Sequence, residues 1–114
     1  MKIKTISCLV GFAATLLCSP LASAAPDAAA AQALAKKEGC LKCHAVDKKK
    51  DYASLKEISK KYAGKPDAEA KILNQITAGV KVKLDDGTEE EHKTVKTKDK
   101  AELSNMIQWI LSLK

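Results

Sequence analysis

The chain has 114 residues, a net charge of +6 and only four aromatic side chains (one Trp, two Tyr, one Phe), which allows one domain at most and excludes a large aromatic core. All of its basic residues are lysine; the lack of arginine and of aromatics interleaved with the basic residues argues against a nucleic-acid surface. A domain this short with so few large side chains calls for a covalent or cofactor staple.

Lys2 and Lys4 form a positive start, Ile6 to Leu17 is an almost uninterrupted apolar run, and Ser19-Pro20 breaks it. Ala22-Ser23-Ala24 then supplies the small-x-small pattern of a cleavage site. The pattern predicts a signal peptide over 1–24 and an exported, periplasmic domain over 25–114. The run is too short to span a bilayer as a helix, so no stable membrane insertion is expected after cleavage. Cys18 as a lipoprotein cysteine is the rival reading, disfavoured by bulky Leu17 where such sites want a small residue. Cleavage removes Cys8, Phe12 and Cys18, leaving Cys40 and Cys43; two lysines and no acid go with them, so the charge falls from +6 to +4.

Ala25 to Lys37 is rich in helix formers, with Pro26 and Asp27 suited to a first turn. Gly39 ends or bends that helix. Asp47 to Asp51 is a charged loop. Leu55, Ile58 and Tyr62 recur at helical spacing until Gly64-Lys65-Pro66 stops them. Asp67 begins another helix, with Ala68, Ile72 and Ile76 on one face and Gly79 as its stop. Val80, Val82 and Leu84 alternate with lysines, and Asp85-Asp86-Gly87 is a turn signal. Thr88 to Val95 reads as the return strand of a short hairpin within 80–95, although Glu89-Glu90-Glu91 is poor strand material. Leu103, Met106, Ile107, Ile110 and Leu113 form one apolar stripe, which predicts an amphipathic helix over Asp99 to Lys114.

The chemistry is carried by Cys40-Leu41-Lys42-Cys43-His44, the spacing of a covalent haem site. Residues three and four apart share one side of a helical turn, so the two thiols and the imidazole can converge. The thiols add to the haem vinyl groups and the imidazole sits under the iron. A haem buries far more apolar area than any side chain and can replace the missing core. A bare Cys-x-x-Cys also fits a redox dithiol, a disulfide or half a zinc site. The first wants βαβ alternation, which the pattern lacks, and the last wants two further ligands where His92 is the only other histidine.

With these residues in view, the chain resembles a small bacterial class I cytochrome c over nearly the whole of 25–114. The resemblance rests on Gly39-Cys40-x-x-Cys43-His44-Ala45-Val46-Asp47, on Ile58 to Gly64 (Ile-Ser-Lys-Lys-Tyr-Ala-Gly) and on Trp109-Ile110-Leu111. It implies an all-α cytochrome c fold of several short helices wrapped around one haem c, with the first and last helices crossing. It also implies single-electron transfer at an exposed haem edge rather than enzymatic turnover.

Two departures from that family stand out. Tyr52-Ala53 occupies the place of the family's glycine-proline pair, whose proline carbonyl orients the ligating imidazole; Ala53 keeps a carbonyl but not the stiffness. The family's methionine ligand is also missing from its loop, for Met106 lies inside the last apolar stripe, where methionine commonly fills gaps. His92, seventeen residues before Trp109, stands close to the methionine's place. His92 is therefore the leading candidate for sixth iron ligand, ahead of no strong protein ligand and of Met106.

Lys36, Lys37, Lys42, Lys48, Lys49, Lys50, Lys60 and Lys61 lie near the motif or on the next helix. They are either an ordinary solvated surface or a positive rim that steers redox proteins with acidic docking surfaces. The leading expectation is a periplasmic electron carrier with a bis-histidine haem. The alternative is a haem-based ligand-binding or sensor protein with an open or displaceable sixth site, and a peroxidase-like enzyme is a weaker third.

Overall fold

The computed structural model describes residues 25–114; the expected signal segment 1–24, Cys18 included, lies outside the described residues. Helix α1 spans Ala28–Lys37, α2 Cys40–Cys43, α3 Leu55–Tyr62, α4 Ala68–Ala78 and α5 Lys100–Ser112. Between α4 and α5, β1 (Lys81–Lys83) and β2 (Glu89–Glu91) form an antiparallel pair. The expected helices are all present, and the architecture is the mostly helical one anticipated, with its small hairpin.

Caps account for most of the boundaries. Asp27 begins α1 by accepting from the Ala30 amide at 3.0 Å, and Asp99 begins α5 by accepting from Ala101 and Glu102. Helix α1 runs through alanines, the best helix formers, and places Lys36 and Lys37 at its negative end. Gly39 then takes φ +80° and turns the chain directly into α2. At the end of α4, Gly79 takes φ +62°, and a Cβ there would lie 2.6 Å from a carboxylate oxygen of Glu91. Helix α3 opens on a full capping box, with Glu57 N–H donating to Ser54 Oγ and Ser54 N–H donating to Glu57 Oε2.

The most extensive contact between elements joins α1 to α5. Ala31, Leu34 and Ala35 on one side, and Leu103, Met106, Ile107 and Ile110 on the other, belong to one buried cluster. Ala31, Met106 and Ile107 have no exposed surface at all. Small alanines at i and i+4 leave room for the bulkier face of α5. The crossing is tied at its open end by a reciprocal pair: Asp27 N–H donates to Asn105 Oδ1 at 2.8 Å, and Asn105 Nδ2 donates to Asp27 C=O at 3.0 Å.

Two features depart from the pattern read in the sequence. Ser59, a polar residue on α3, is buried and its hydroxyl lies within hydrogen-bond reach of the Leu111 and Leu113 carbonyls. It thereby serves carbonyls that the end of α5 leaves without helical partners. The hairpin is also shorter than the expected return strand to Val95. Its ladder pairs Lys81 with Glu91 and Lys83 with Glu89, so opposite charges face one another across the strands. Beyond it the Val95 amide bonds instead to Ile76 C=O at 2.9 Å, and this draws the chain away onto α4 and buries Val95.

The capping box has a pH signature. The Ser54 amide and hydroxyl hold the Glu57 carboxyl below its ordinary range. A depressed carboxyl contributes stability above the ordinary carboxylate range, and that contribution is lost as pH falls through the depressed value. Glu57→Gln is therefore expected to lower the unfolding midpoint near neutrality while losing less than the parent between about pH 7 and about pH 3, as read by denaturant titration at both pH values.

Candidate functional site

The site begins in the single turn of α2. Gly39 reverses the chain after α1, and His44 N–H donates to Cys40 C=O at 2.9 Å, so Cys40, Cys43 and His44 follow one helical turn. Both cysteines are half-buried and neither is in a disulfide. Burial pushes the Cys40 thiol above its ordinary range. An activated redox dithiol needs the opposite, a depressed thiol, so the site is poorly suited to dithiol exchange.

After His44 the chain folds back on itself. Leu55 N–H donates to Ala45 C=O at 2.9 Å and Lys56 N–H to Val46 C=O at 3.1 Å. These are the first amides of α3, which have no partner within their own helix, so the helix start closes the loop that follows the motif. The closure brings Ala53 C=O to His44, whose Nδ1–H donates to it at 2.6 Å. With the proton on Nδ1, Nε2 carries a free lone pair for a metal. Ala53 thus does what the sequence asked of it without a proline.

His92 lies just past β2. Its amide donates to Val80 C=O at 2.9 Å, and its Nδ1–H donates to Lys93 C=O at 2.7 Å. Both histidines therefore have the same tautomer, with Nε2 making no hydrogen bond among the described residues. The two rings stand with centroids 6.2 Å apart and planes inclined by 26°. Two imidazoles bonded at roughly 2 Å to opposite sides of one metal ion have ring centres about 6 Å apart. The separation of the two rings matches that figure, so His44 and His92 are the two imidazoles here that could hold one metal ion between them.

Met106, the other sixth-ligand candidate, sits in the core cluster of α5 without exposed surface. The segment beyond His92 is clasped by Glu38 at the end of α1, which accepts from the Lys96 amide at 2.6 Å and the Thr97 amide at 3.3 Å. The sequence does not show this clasp, nor the contacts that Tyr52 makes. The Tyr52 ring centroid is 6.0 Å from that of His44, and its hydroxyl donates to Glu90 in β2. That bond to a carboxylate raises the phenol to about 12. Among the lysines, Lys37, Lys42, Lys93 and Lys96 line one surface pocket with His92, whereas Lys49 and Lys56 are paired with Asp85 and Asp47. Among the described residues no helix is long and apolar enough to cross a membrane.

Comparison with known proteins gives the family of the chain. The family model described as Cytochrome c matches residues 28–114. Cytochrome c2 of Rhodocyclus tenuis is 36% identical over 83 residues, which cover 72% of this chain and 90% of that protein. The crystal structure of Class 1 cytochrome MtoD from Sideroxydans lithotrophicus ES-1 superposes with a TM-score of 0.73 at 49% identity, covering 78% of this chain and 98% of that one. Wild-type cytochrome c552 of Nitrosomonas europaea gives a TM-score of 0.58 at 31% identity, covering 73% and 99%. The fold, the half-buried Cys-x-x-Cys-His turn and these relatives together mean that the chain belongs to the cytochrome c family, as a small class I member carrying one covalently bound haem c.

Proposed function

We propose that the protein is an exported electron carrier whose haem is attached through Cys40 and Cys43 and ligated by His44 and His92. The observation that carries the reading is the pair of imidazoles 6.2 Å apart, each with Nδ1–H anchored on a main-chain carbonyl. Bound haem supplies a one-electron ferric/ferrous couple, whose potential follows the axial ligands. His44 and His92 would both ligate the iron, which would leave no open site there for a substrate. Ala53 and Lys93 fix the two rings through their carbonyls, so little reorganises between redox states. Met106 stays in the core as packing. Imidazole in place of a thioether favours the ferric state and lowers the potential relative to a Met/His centre. Export is supported by the charged start, apolar run and Ala22-Ser23-Ala24 of the first 24 residues.

His92→Ala is expected to convert a low-spin ferric spectrum into a high-spin or water-ligated one, and to speed carbon monoxide binding to the reduced protein roughly tenfold or more. A near-infrared methionine–iron band in the parent protein, or a His92→Ala spectrum identical to it, would sink the ligand assignment. Rapid carbon monoxide binding by the parent itself would favour the sensor reading.

Partner choice follows from charge. Lys37 and Lys42 flank the cysteine turn, Lys93 and Lys96 follow His92, and all four line one pocket beside that histidine. Such a concentration of cations beside the haem crevice suits acidic redox proteins, by steering encounter more than by tight binding. Electron exchange with an acidic partner should slow by about tenfold between low and physiological salt, measured by stopped flow; a rate independent of ionic strength would dismiss the steering role.

A further inference from the structure

The segments that bear the two histidines are joined directly by side chains. Tyr52 immediately precedes Ala53, the residue that holds His44. Its hydroxyl donates to Glu90, which lies in β2 two residues before His92. Lys49, in the same loop as Tyr52, pairs with Asp85 at the hairpin turn. The remaining ties on the His92 segment come from elsewhere: Val80 on the hairpin itself, Ile76 on α4 and Glu38 at the end of α1.

The hairpin needs such a tie. Its strands are three residues each, β2 is exposed throughout, and an isolated two-stranded hairpin is marginal in water. Elements with few buried contacts open locally at a fraction of the global stability. An opening of this hairpin moves the residue that follows it, and that residue is His92.

We propose that Tyr52 is a positioning residue, whose hydroxyl bond to Glu90 straps the hairpin to the His44 loop and keeps His92 from leaving the iron. The proposal rests on the bis-histidine reading. Because Glu90 is exposed and Tyr52 only half-buried, the strap governs local opening far more than global unfolding.

The test is the rate at which cyanide, at sub-saturating concentration, enters the ferric holoprotein. Tyr52→Phe is expected to raise that rate about fivefold, the ratio that one net hydrogen bond of ordinary strength sets, with little change in the unfolding midpoint. Glu90→Ala should raise it similarly, and the double variant should be no faster than Glu90→Ala alone. Glu90→Gln, which keeps an acceptor oxygen, should recover most of the parent's slowness. An unchanged rate in Tyr52→Phe, beside a His92→Ala control that binds rapidly, overturns the strap and leaves bis-histidine ligation standing. A Tyr52→Phe/Glu90→Ala double variant showing the product of the two single effects overturns it as well. A parent that already binds cyanide as fast as His92→Ala removes the ligation reading, and the strap with it.

Discussion

Much of this molecule turns on one hydrogen bond, from the His44 ring to the Ala53 carbonyl at 2.6 Å. An imidazole can offer a metal only the nitrogen without a proton, and the partner of the other nitrogen decides which one that is. The carbonyl stands in place because the first two amides of α3 reach back to Ala45 and Val46. Those amides would otherwise need water or a cap, since no residue within the helix can accept from them. The start of a helix, the closure of a loop and the aim of a histidine are thus one arrangement. Proline is one way to stiffen such a loop; here its closure is held by main-chain bonds and a capping box.

The second histidine is held in a different way. Residues 92–97 form no regular element, so their polar groups must find partners one by one. They find them on Val80, on Ile76 of α4 and on the Glu38 carboxylate. The His44 side is assembled from neighbours in sequence and the His92 side from residues distant in it. The placement of His44 consequently follows from local structure, and that of the His92 segment from tertiary contacts.

The apolar core matches that division. It centres on α1 and α5, with contributions from Leu55, Ile72, Ile76 and Val95, and Trp109 is the one buried aromatic among the described residues. A domain of this length buries too little apolar surface to be comfortable without help. The covalently bound haem c of the family supplies apolar area that the side chains do not.

Helix limits, the turn at Gly39 and the stop at Gly79 were legible in the residues, because capping, backbone sterics and apolar periodicity act within a few positions. The Cys-x-x-Cys-His turn was legible for the same reason, and the likeness to a class I cytochrome c then pointed to His92 by its distance from Trp109. The clasp by Glu38, the pairing of Asp27 with Asn105, the buried Ser59 and the tie from Tyr52 to Glu90 were not. Each joins polar groups far apart in the chain, and such pairs leave no period or spacing to read. An apolar stripe tells which face of a helix turns inward but not what it meets, so the 6.2 Å approach of His44 and His92 came into view only once helices, loop and hairpin were packed together.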